Sequence, residues 1–180
     1  MSMASVSATA PNTLITYYLH MTDPSQFVPA FTENTDKLIL MPMMQADVRF
    51  YKFLYSAVGE ALRWRDRIIM PESDLEALLT LPGTSVEVLY ADGVPAGYFE
   101  LVKQGDDTEL SYFGLRPQFH GLGYGKYLLS SAIARAWGDG AKRVWVHTCN
   151  LDAPSAIPNY QKRGFVLYDT HEEPMPERYL

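Results

Sequence analysis

Along the chain, apolar positions alternate between two-residue spacing and three-to-four-residue spacing, and each change marks an element. Leu14 to Met21 (LITYYLHM) is rich in aromatic and β-branched residues and runs into Thr22-Asp23-Pro24-Ser25, so it predicts a first strand ended by a turn. Residues 22 to 46 hold Pro24, Pro29 and Pro42 and predict an irregular connection with a short strand near Lys37 to Leu40. From Asp47 onward, Phe50, Phe53, Leu54, Ala57 and Val58 recur at helical spacing, with Asp47 as N-cap. A short helix is expected from Glu72 or Ser73, where Ser73 and Glu76 have capping-box spacing, to just before Leu81.

Three strands come next, Val86 to Tyr90, Val94 to Val102 and Glu109 to Leu115, with Asp92-Gly93 forming the first reversal of an antiparallel meander. Tyr124 to Trp137 lines up Leu128, Leu129, Ala132, Ile133 and Ala136 on one broad stripe, a helix that packs on a sheet. Arg143 to Cys149 predicts a strand, Ser155 to Arg163 a helix and Phe165 to Tyr168 a further strand. With Ser155 as N-cap, Pro158 falls at the third helical position, where its missing N–H breaks no helical bond. The order predicts an α/β fold: one mixed, mostly antiparallel, twisted sheet with helices on both faces.

Composition narrows the class. A chain of 180 residues that is 47% hydrophobic and 20% charged buries a core, which excludes a disordered protein and predicts one domain over 14–180 behind a leader of residues 1–13. The net charge of −6 has the wrong sign for gripping a phosphate backbone, so no nucleic-acid partner is expected. Cys149, the single cysteine, makes an internal disulfide and a thiolate metal cluster impossible, and no metal is expected. The first basic residue is Lys37, and no apolar run approaches the ~20 residues of a membrane span, so the expectation is a cytoplasmic protein without a membrane partner. Nothing in the pattern reads the oligomeric state.

The densest chemical signal is His120-Gly121-Leu122-Gly123-Tyr124-Gly125-Lys126, after a strand and at the start of a strong helix. Glycines there let backbone N–H groups approach an anion, and the helix N-terminus supplies unpaired donors and a favourable dipole. Tyr127 stands where a Walker A loop needs Ser or Thr, and the preceding meander is not the βαβ unit of a dinucleotide site.

Those residues resemble the signature of the GNAT superfamily of acyl-CoA-dependent N-acyltransferases, (Arg/Gln)-x-x-Gly-x-(Gly/Ala), with His120 at the first position and Gly123 and Gly125 following. Counting from Gln118 restores the consensus but leaves the Lys-x-Leu-Leu helix start two residues out. Asn150 and Tyr160-Gln161-Lys162-Arg163-Gly164-Phe165 are similar to the family's second stretch, and the resemblance covers roughly Val86 to Leu167. It implies an acyl-CoA-binding core over about 86–168 and an acceptor-selecting half over about 14–85.

The resemblance further implies a cleft between two splayed parallel strands, Glu109 to Leu115 and Arg143 to Cys149, with Gly114 as a bulge site. The pyrophosphate of coenzyme A would meet backbone donors at Leu122, Gly123, Tyr124, Gly125 and Lys126, with His120 at the start of that loop, and the Asn150 side chain would bond the cofactor or the cleft backbone. N–H groups of Phe113 or Leu115 would face the thioester carbonyl. Tyr160 matches the family's general acid, and Glu109 its catalytic glutamate, with His147 as a second candidate base. Direct transfer leaves Cys149 as a strand residue. The expected activity is transfer of acetyl from acetyl-CoA to a primary amine; a CoA-binding sensor without turnover and a transferase for longer acyl chains are the alternatives. Phe50, Tyr51, Phe53, Tyr55 and Trp64, with Arg63, Arg65 and Arg67, read as core plus a solvated basic face, or alternatively as the wall of an acceptor pocket.

Overall fold

The computed structural model describes residues 10–32 and 35–180, so residues 1–9 of the expected leader lie outside the described residues. In chain order the elements are β1 (Thr13–Met21), β2 (Leu38–Pro42), α1 (Val48–Gly59), α2 (Asp66–Ile69), α3 (Glu72–Leu79), β3 (Thr84–Ala91), β4 (Val94–Gln104), β5 (Asp107–Leu115), α4 (Tyr124–Gly138), β6 (Arg143–Cys149), α5 (Ala156–Lys162) and β7 (Val166–Pro174). The strands form one seven-stranded sheet in the order β2-β3-β4-β5-β6-β1-β7, in which β5 and β6 are the parallel pair and the other neighbours are antiparallel. The first strand therefore pairs far from its neighbours in sequence, between β6 and β7.

Local chemistry explains most boundaries. Asp47 caps α1 by accepting from the Phe50 N–H at 2.9 Å. Asp92 and Gly93, with φ of 50° and 78°, make the tight turn that the twist of β3 and β4 requires. Ser155 is the N-cap position of α5, which puts Pro158 in the first turn, as the sequence predicts. The capping box at Ser73 does not form: Pro71 is the N-cap position of α3, so Ser73 already lies inside the first turn. α1 ends at Gly59, where a single 3-10 turn at Glu60–Leu62 closes on Arg63 in the left-handed region.

Two cores flank the sheet. On one face α4 buries Leu128, Leu129, Ala132, Ile133 and Ala136 against Phe99, Leu110, Val144 and Val146. On the other, α1 and α3 bury Tyr51, Leu54, Tyr55, Val58 and Leu75 against Val86, Val88 and Tyr98. Each fully buried side chain of this size contributes roughly 1.5–3 kcal/mol. The α1 stripe is thus turned from the expected one, and Phe53 is 45% exposed. Under α1, Glu100 is fully buried and accepts from the Tyr51 hydroxyl and, at 2.7 Å, from Arg67. Arg67 is therefore a largely covered counter-ion, its side chain 12% exposed, and not part of a solvated basic face.

The expected bulge at Gly114 is also displaced. Gly114 pairs regularly with Tyr98, whereas Ser111 is the extra residue between the Glu100–Tyr112 and Leu101–Leu110 pairs. Glycine at 114 has a different cause, since a Cβ there would come within 2.4 Å of Val58 Cγ1 on α1. Among the described residues no helix is long and apolar enough to cross a membrane.

Candidate functional site

β5 and β6 pair only from Asp107 to Leu110 and from Arg143 to Val146. Beyond that point each strand keeps its other neighbour, β4 and β1 respectively, and the two diverge. The gap is a cleft of about 570 Å³ through the sheet. Side chains alternate along a strand, so β5 presents its residues to two opposite sides. Phe113 and Leu115 look toward α4 and α5, with the Phe113 ring 6.4 Å from that of Tyr160. Tyr112 looks toward α1, 5.0 Å from the Tyr55 ring and 5.2 Å from Trp64.

On the α4 side the wall is mostly backbone. After a 3-10 turn at Pro117–Phe119, Gly121 and Gly123 take φ of 78° and 80°, a conformation L side chains rarely adopt. Gly123 is the N-cap of α4 and no side chain caps the helix, so the opening N–H groups at Tyr124, Gly125 and Lys126 have no intrahelical or side-chain acceptor. Gly125 keeps open space, its nearest neighbour for an added Cβ being Leu115 Cδ1 at 3.7 Å. His120 donates from Nε2 to the Leu115 carbonyl at 3.0 Å and ties this loop to the end of β5. That carbonyl therefore points away from β4, while the next N–H, of Arg116, bonds Ala96. Antiparallel alternation then turns the N–H groups of Phe113 and Leu115 into the cleft.

Uncapped donors, positive dipole and vacant room at Gly125 fit an anionic, diphosphate-bearing ligand. Phe113, Leu115, His120, Gly123, Gly125, Lys126 and Tyr160 all line the cleft. The side chains of Leu122, 57% exposed, and Tyr124, packed on the core, do not, which leaves only their backbone. Asn150 is a correction: its amide accepts from Ile15 N–H at 3.0 Å and donates to the Thr13 carbonyl at 2.9 Å, so it holds β1 and is not free for a ligand. Asn159 on α5 lines the cleft instead.

At the centre, Tyr160 is buried, and burial together with the nearby Asp152 charge holds its phenol well above the ordinary range. It keeps its proton at neutral pH. Cys149 also lines the cleft, and burial and Asp152 push its thiol up to about 11, so it is no thiolate nucleophile.

On the α1 side the wall is made of side chains. Tyr55, Trp64 and Tyr112 contact one another at ring separations of 5.0 to 5.3 Å. Trp64 donates its indole N–H to Asp152 at 3.2 Å, closing the gap between the α1–α2 connection and the β6–α5 loop. Tyr179 reaches back to donate to Asp66 at 2.8 Å, and Arg63 donates to the Tyr179 carbonyl at 2.9 Å. Tyr55, Arg63 and Trp64 are thus cleft residues, while Phe50 and Phe53 are not.

The two candidate bases meet. His147 Nδ1 and Glu109 Oε1 are 3.0 Å apart across the parallel pair, with His147 lining the cleft and Glu109 behind it. A carboxylate only accepts, so Nδ1 donates to Glu109 and Nε2 is the ring nitrogen turned away from that pair. Asp66, Tyr112, Asp152 and Tyr179 escaped the sequence reading, since they come from separate segments with no common spacing.

The Acetyltransferase (GNAT) family model matches residues 44–165. An uncharacterized N-acetyltransferase of Mycobacterium tuberculosis is 36% identical over 93 residues, 51% of this chain and 59% of that protein, so the match spans well under two thirds of the relative's length. A GNAT family acetyltransferase from Elizabethkingia anophelis, solved with acetyl-CoA bound, superposes with a TM-score of 0.57 at 21% identity over 74% of this chain and 79% of the other. An aminoglycoside acetyltransferase from an uncultured soil metagenomic sample, in complex with sisomicin, gives 0.59 at 14% identity over 73% and 90%. At these identities the structural likeness shows the fold.

Proposed function

We propose, on the premise that this chain belongs to the GNAT acetyltransferase family, that it transfers an acetyl group from acetyl-CoA to a primary amine, by direct attack with both molecules in the cleft. The observation that carries the reading is the through-sheet cleft itself, with anion-binding backbone on the α4 side and a His–carboxylate pair on the α1 side.

Acetyl-CoA supplies an activated thioester: the amine nitrogen bonds to its carbonyl carbon, the C–S bond breaks, and an amide, a CoA thiol and one proton result. The backbone N–H groups at Gly125 and Lys126 hold the diphosphate. Those of Phe113 and Leu115 face the carbonyl oxygen and stabilise the charge it gains. An alkylammonium near pKa 10.4 must lose a proton before it attacks, and His147 Nε2 takes it, with Glu109 as the positioning residue that fixes the ring. Tyr160, protonated at neutral pH, donates to the departing sulfur.

The test is a paired assay of thiol released and amide formed from acetyl-CoA across an amine panel. One thiol per amide, with kcat lowered at least about 100-fold in Tyr160→Phe and CoA affinity kept, is the expected outcome. CoA binding without release on any amine would instead leave a sensor.

A further inference from the structure

We propose that the acceptor is a primary amine with one positive charge and an apolar body, whose ammonium docks on Asp152. The proposal rests on the acyl-transfer reading and adds to it the chemical class of the acceptor. The Asp152 carboxylate lines the cleft and accepts from the Trp64 indole at 3.2 Å, the Thr148 hydroxyl at 2.7 Å and the Cys149 amide at 3.1 Å. All three donors are neutral, and no Lys, Arg or His forms an ion pair with Asp152 among the described residues. The carboxylate is held by these three hydrogen bonds, without a cationic partner among the described residues, beside the rings of Tyr55, Trp64 and Tyr112. Aromatic faces attract a cation and pack an apolar chain equally well.

Among the described residues a second ammonium finds no such place. Asp66, the other carboxylate of the cleft wall, already accepts from Arg178 Nε at 2.7 Å and from the Tyr179 hydroxyl at 2.8 Å. A polyamine would set its further charges against Val58, Ala61 and Leu62, where desolvation is not repaid. Asp152 orients the nitrogen, and His147, which lines the same cleft, receives the proton before attack.

The experiment is calorimetric titration of the wild-type protein, with CoA present, using 2-phenylethylamine, its neutral isostere 2-phenylethanol, and spermidine. The expected result is that 2-phenylethylamine binds at least about tenfold tighter than either of the others, and that Asp152→Asn removes the advantage over 2-phenylethanol without changing CoA affinity. Equal binding of amine and alcohol, tighter binding of spermidine, or an unchanged ratio in a CoA-binding Asp152→Asn would overturn the proposal. Should the variant lose CoA binding through misfolding, the wild-type ratios decide alone. Failure of the wild type to bind CoA speaks against acyl transfer, whereas the amine-to-alcohol ratio, measured also without CoA, speaks to Asp152.

Discussion

The two sides of the cleft are built from different materials. The α4 side is a run of consecutive backbone, residues 120 to 126, whose free polar groups are N–H donors fixed by two left-handed glycines and an uncapped helix start. The α1 side is assembled from side chains on α1, the α1–α2 connection, β5, the β6–α5 loop and the C-terminal turn, held by Trp64–Asp152 and Asp66–Tyr179. A backbone-built subsite keeps its chemistry through most side-chain changes. The side-chain wall can be rewritten one residue at a time, so it is the side on which an acceptor can be selected.

The stability of the two sides should separate most sharply at Arg67. Arg67→Met leaves Glu100 buried beneath the α1 wall without its counter-ion, a loss of about 3–5 kcal/mol. Thermal unfolding should show Tm lower by roughly 6–20 °C. An unchanged Tm would mean that the pair does not support that wall.

A smaller effect comes from the same layer at alkaline pH. Burial first, and then the Glu100 charge, raise the Tyr98 phenol well above its ordinary value, and Tyr51 is raised in the same way. The folded pKa exceeds the unfolded one, so this contribution is whole below about pH 10 and is lost as pH rises further. Tm should fall above about pH 10 in the wild type and fall less steeply in Tyr98→Phe, with neutral-pH stability changed by no more than about 1 kcal/mol. Parallel curves for the two proteins would remove Tyr98 from this account.

The same contrast governs how far each region could be read from sequence. A glycine in the left-handed region, an apolar stripe on α4 and a Pro in the first turn of α5 are local necessities, so the glycine loop that opens α4 and most element boundaries are legible. Long-range partners are not. Nothing in LITYYLHM says that β1 inserts between β6 and β7, and therefore nothing says that Asn150 is spent on β1 while Asp152, two residues on, turns into the cleft. Gly114 carries a bulge signal but answers instead to the close approach of Val58. Arg67 reads as a surface charge because its partner Glu100 lies 33 residues away.

The central claim, that the uncapped start of α4 holds the diphosphate of an acyl-CoA, is tested most directly by titrating CoA into the wild type and into Gly125→Asp. A Cβ at position 125 meets only Leu115 Cδ1, at an ordinary 3.7 Å, and an acidic residue in the first turn favours the helix by about 0.3–1 kcal/mol, so Tm should hold or rise. The same carboxylate sits where the diphosphate must sit, and CoA affinity should drop at least about 100-fold. Undiminished CoA binding by a folded Gly125→Asp, or no binding by the wild type, would contradict the account.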